Sequence, residues 1–107
     1  MKLFTKAIEA KAQEQFPLGN YLEKQVVVAK FFNPTGCGTW YLINQDPDDP
    51  DYCWGICHIF DWEVGSFSKL ELENYRGRFG LGIERDLHFE EVNAKDKFEK
   101  LISNKDA

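Results

Sequence analysis

No apolar run in this chain approaches the ~20 residues that a membrane-spanning helix requires, and the opening Met1–Ala10 stretch has no signal-type apolar core, so the cytoplasm is the expected compartment. There is no excess of positive charge: thirteen basic against eighteen acidic residues give a net charge of −5, without the basic footprint usual in phosphate-binding proteins. Histidine is scarce, with only His58 and His88, neither in a recognised catalytic motif. Cysteine is scarce and odd in number, which fits reduced thiols rather than a disulfide framework. What the chain does have is aromatic residues, 15% of its 107 positions, enough for one modest core. It reads as a single domain over 1–107 with a frayed tail from about 103.

Phe4, Ile8, Ala12 and Phe16 recur every four residues, a spacing that predicts an amphipathic helix capped by Thr5 and ended before Pro17. Gln25 to Phe32 is rich in valine and phenylalanine and reads as a buried strand. Asn33–Gly38 is turn chemistry, and Thr39 to Asn44 is the returning strand of a hairpin. In that strand Trp40 and Leu42 should share one face, Tyr41 and Ile43 the other. Gln45–Asp51, with its aspartates and two prolines, reads as a solvated loop whose spacing is not that of an EF-hand. Tyr52 to Phe60 is a third strand, followed by Asp61-Trp62-Glu63 and a turn through Gly65. Ser68-Lys69-Leu70-Glu71 has the form of a capping box opening a short helix that Gly77 should stop in the left-handed conformation. Gly80 and Gly82 bracket Leu81 in a chain reversal. From Ile83 to Phe89 the period becomes two, with Arg85 on the apolar side. Asn93 caps a last helix bearing Phe98, Leu101 and Ile102. The fold class is therefore α+β, a mostly antiparallel sheet of about four or five strands with helices at both ends and a short one inserted.

The run G-S-F-S-x-L-E-L, then R-G, then F-G-L-G-I-E-R-D-L-H-F resembles domain-of-unknown-function family 2958. So do Leu3–Lys6 and Val27–Gly36 with Thr39–Tyr41, in the same order along the chain. The resemblance implies a small bacterial, phage or plasmid protein or domain, often carried by mobile elements, with no established catalytic residues.

Candidate chemistry is thin. Cys53-Trp54-Gly55-Ile56-Cys57-His58 suggests zinc, but on a strand the two cysteines lie ~13 Å apart and His58 points away from Cys57. No metal and no cofactor is expected. The glycines at 77, 80 and 82 run from helix to strand, the reverse of a phosphate loop, and lack G-K-[ST]. Asp61 and Glu63 flank Trp62 and could divide acid and base roles in a small hydrolase; Trp40 and Tyr41 with a local lysine patch could bind nucleic acid, against the acidic balance. The leading expectation is a non-enzymatic module that binds an unidentified host or phage protein, with no catalytic residues. Its expected contact surface is Trp40, Asp61, Trp62, Glu63 and Phe67, since aromatics serve interfaces as anchors. Arg85, on the apolar side of its strand, needs a carboxylate or several carbonyls within reach; Asp61, Glu63 and Glu73 are the candidates, with Asp61 or Glu63 expected to form the ion pair.

Overall fold

A computed structural model describes residues 2–104. Helix α1 (Lys6–Gln15) is followed by strands β1 (Val26–Val27), β2 (Ala29–Phe32), β3 (Thr39–Gln45), β4 (Tyr52–His58) and β5 (Trp62–Ser68). Helix α2 (Lys69–Asn74), strands β6 (Glu84–Arg85) and β7 (Val92–Asn93) and helix α3 (Ala94–Ser103) complete the order. Five strands form one antiparallel sheet in the order β5-β4-β3-β2-β6, and β1 pairs with β7 in a separate ladder. The fold is α+β, as the sequence patterns imply.

The alternation in β3 divides the interior into two cores. Leu42, with Trp40 beside it, faces α1 and the N-terminal segment, joining Phe4, Ala12, Phe31, Cys53, Leu72 and Ile83. Tyr41 and Ile43 face α3, joining Val27, Ile56 and Ala94, with Phe89, Phe98 and Leu101 against them. Each helix starts where its cap is. The side-chain oxygens of Thr5, Ser68 and Asn93 accept hydrogen bonds from the amides of Ile8, Glu71 and Asp96.

The register slips between Leu42 and Asn44, so that β3 carries one more residue than β4 there, and β1 and β2 are broken at Val28. These irregularities leave backbone groups in need of partners, and the buried Gln15 supplies them, while Gln25 braces the segment beside it. Gln15 Nε2 donates to the carbonyls of Ile43 (2.7 Å) and Val26 (3.0 Å), while its Oε1 accepts from Val26 N. Gln25 accepts from Asn44 Nδ2 and donates to the carbonyls of Gly19 and Tyr21.

Three sequence expectations are corrected. Gly65 is not in a turn: it sits in the middle of β5, opposite Gly55. Gly77 has φ −104°, so α2 ends at Asn74 with Tyr75 as its cap and no left-handed glycine, and the left-handed residues nearby are Phe79 and Gly80. The strand expected from Ile83 to Phe89 is only Glu84–Arg85. After it the chain bends at Asp86, whose Oδ1 accepts from His88 N, and passes round the sheet edge. Ile83 consequently lies in one core and Phe89 in the other. The tail expected to fray starts at about Ser103, which is the last residue of α3; residues 105–107 lie outside the described part.

A candidate protein-binding edge

β5 is an outer strand, paired with β4 on one side only. The Lys69 amide donates to Asp51 O at 3.0 Å, which fixes the phase of the ladder. Alternation along an antiparallel pair then turns the backbone of Glu63, Gly65 and Phe67 toward β4, and that of Trp62, Val64, Ser66 and Ser68 outward. Trp62 N donates to Asp61 Oδ1, so its outward donor is already used. Val64 and Ser66 make no backbone hydrogen bond outside the ladder among the described residues.

The C-terminal end of this strand is firmly fixed. Asp51 Oδ1 accepts from Ser68 Oγ and from Leu70 N, both at 2.8 Å. Those bonds, the backbone amide first, hold the Asp51 carboxyl below its ordinary range. Lys69 Nζ meets Glu9 Oε2 at 2.8 Å and ties the start of α2 to α1. Apolar surface gathers along the edge: Phe60 is 96% exposed, Leu70 56%, Ile59 43% and Val64 40%.

The residues expected at a contact surface are divided by the sheet. Trp40 and Phe67 pack against the first core, and Glu63 shares their face. Trp62 lies on the opposite face, its ring 4.5 Å from His58 and 5.8 Å from Tyr41. Asp61 is exposed at the turn before β5. Sequence reasoning missed Ile59, Phe60, Val64 and Leu70. The period-two pattern of Trp62, Val64 and Ser66 against Glu63 and Phe67 was the available signal, obscured by treating Gly65 as a turn.

Arg85 requires correction. The register runs Arg85–Phe31–Trp40–Cys57–Glu63 across all five strands, so Arg85 and Glu63 share a face and a rung. Four inter-strand steps of about 4.8 Å nevertheless separate them by roughly 19 Å. The guanidinium instead donates from Nε and Nη2 to the Lys2 carbonyl, at 3.3 and 3.1 Å. Among the salt bridges of the described residues, none joins Arg85 to Asp61 or Glu63.

The remaining chemistry is quiet. Burial, then the charge of Asp51, pushes the Cys53 thiol up to about 12, and burial, then Glu63, pushes Cys57 up to about 11. Both are poor nucleophiles at neutral pH. Among the described residues no three Cys, His, Asp or Glu side chains converge where a metal ion could sit. Trp40 and Tyr41 occupy opposite faces, and Tyr41 is 4% exposed beneath Lys30 and Lys97, so they do not form one stacking platform.

An antiparallel five-stranded sheet covered by helices and left open at one long edge defines the architecture. The family model described as "Protein of unknown function (DUF2958)" matches residues 3–105, and the chain belongs to that family. No curated protein and no solved structure matches the chain significantly.

Proposed function

We propose that this chain is a non-enzymatic accessory protein of a phage or mobile element, acting in the cytoplasm by binding another protein along β5 and so modulating a host or defence protein. The observation that carries this reading is the β5 edge itself: seven residues, no proline, no lysine or arginine and a single carboxylate, bracketed by exposed Phe60 and Leu70. Such an edge is a template for an added strand, whose main-chain hydrogen bonds supply affinity while side chains on alternate faces supply selectivity. The absence of a helix long and apolar enough to cross a membrane, among the described residues, is compatible with a cytoplasmic partner.

A tagged pull-down from the natural host tests it, with Val64→Lys at the β5 edge and Leu87→Lys as a control in the segment after β6. Leu87 is 63% exposed, so both variants should fold. Capture lost with Val64→Lys and retained with Leu87→Lys is the expected result. Equal capture by both variants would place the interface elsewhere.

A further inference from the structure

On the strand-addition reading, the sequence of β5 itself matches the strand that this edge would accept. Outward backbone groups come from Val64 and Ser66, with Trp62 O and Ser68 N beyond them. In an antiparallel pairing of two copies about a two-fold axis through Gly65, Val64 of each copy meets Ser66 of the other, and Trp62 meets Ser68. Every outward group then faces a complementary one, because residues that point outward pair only with each other. The single charge is accommodated: Glu63 lies opposite Phe67, not opposite its own copy, and like charges directly opposed would be unfavourable.

The ends match as well. Exposed apolar side chains precede the strand at Ile59 and Phe60 and follow it at Leu70, with Tyr52 beside Ser68 on β4. Antiparallel pairing brings Phe60 of one copy toward Leu70 of the second copy, at both ends of the shared ladder. Gly65 on the axis has φ outside the left-handed region and nothing within 4 Å of the position a Cβ would take, so a side chain introduced there meets no obstacle on the face of the sheet. We propose that β5 pairs with β5 of a second copy in the register centred on Gly65, making one continuous antiparallel sheet across the dimer.

Sedimentation equilibrium of the full chain under reducing conditions tests the pairing. At concentrations on the order of tens of micromolar, the expected mass is twice the 12.5 kDa of one chain. Val64→Lys should raise the dimer dissociation constant at least about tenfold, and Leu87→Lys should leave it unchanged. The register is tested by cysteine cross-linking in a Cys37→Ser background, which removes the exposed native thiol. On the axis the facing Cα atoms of a non-hydrogen-bonded pair lie about 4.5 Å apart, within disulfide reach. Gly65→Cys should therefore cross-link under mild oxidation and Val64→Cys should not, far-UV circular dichroism confirming that both are folded. A monomeric mass throughout, or cross-linking through position 64 but not position 65, would overturn the proposal. A monomer whose partner capture is still lost on Val64→Lys refutes self-pairing alone; capture indifferent to Val64→Lys refutes the strand-addition reading.

Discussion

At one edge of the sheet β6 contributes two residues, Glu84 and Arg85, and then turns away; at the other, β5 runs seven residues with one charge. The β6 edge is blunted in several ways at once. It is short, it carries both signs of charge, and Arg85 is fastened to the Lys2 carbonyl. Asp86 N donates to Lys30 O, and the Asp86 carboxylate lies 4.0 Å from the Lys30 ammonium. β5 carries none of these protections, although an unprotected edge invites association. That contrast between a closed and an open edge is what supports the proposed use of β5.

The largest perturbation strikes what both edges share. A Cβ at Gly55 would collide with the Tyr41 carbonyl in the middle of β3–β4. Gly55→Ala should therefore cost about 3 kcal/mol in chemical denaturation, whereas Gly65→Ala, on the open edge with space around it, should cost under about 1 kcal/mol. Equal losses would mean that β5 is packed as an inner strand. At the closed edge, Arg85→Met removes the hydrogen bonds to the Lys2 carbonyl from a partly exposed side chain. The expected loss is about 1 kcal/mol, well short of the ~3–5 kcal/mol of a broken buried ion pair.

A smaller effect concerns the support beneath β5. Burial tends to raise the Glu9 carboxyl, but hydrogen bonds from Lys69 and Gln45 and the Lys69 charge outweigh it and hold it below its ordinary 4.5. A carboxyl lowered on folding stabilises the protein above its unfolded pKa, and that contribution disappears as pH falls through the lower folded value. The advantage of the parent over Glu9→Gln should be fully present at about pH 6 and should shrink as pH falls below the ordinary carboxyl value. Its size should be below about 1 kcal/mol for this partly exposed pair. An advantage that grows on acidification would reverse the assigned sign. Least of all should Phe60→Ala matter to folding, under about 0.5 kcal/mol, while it weakens association. An unfolding midpoint shifted well beyond that would mean that the Phe60 ring packs inside.

Much of this architecture is legible in the sequence because local chemistry and tertiary packing agree. Thr5, Ser68 and Asn93 each cap the helix expected of them, and Trp40 and Leu42 part from Tyr41 and Ile43 as period two requires. Where the two disagree, packing prevails. Gly65 and Ser66 have turn-type propensity but are drawn into strand by a full ladder with β4. Ile83 to Phe89 alternates like a strand, yet the chain there is crossing from one core to the other. Gln15 looks like a solvated helix position, but the irregularities in β1 and β3 call for a buried donor and acceptor that only the assembled sheet reveals. The candidate edge is accordingly half legible: the stretch from Asp61 to Phe67 stands out in the sequence, while Val64, whose outward backbone and exposure support the reading, does not.

Amide hydrogen exchange along β5 tests the binding edge most directly. Glu63, Gly65 and Phe67 turn their amides toward β4, so their exchange should change little on association, whether with a second copy or with a captured partner. Val64 and Ser66 should exchange quickly in the dilute free chain and become protected on association, giving a pattern that alternates residue by residue. Protection that leaves Val64 and Ser66 as fast in the complex as in the free chain would show that β5 is not the surface this protein binds with.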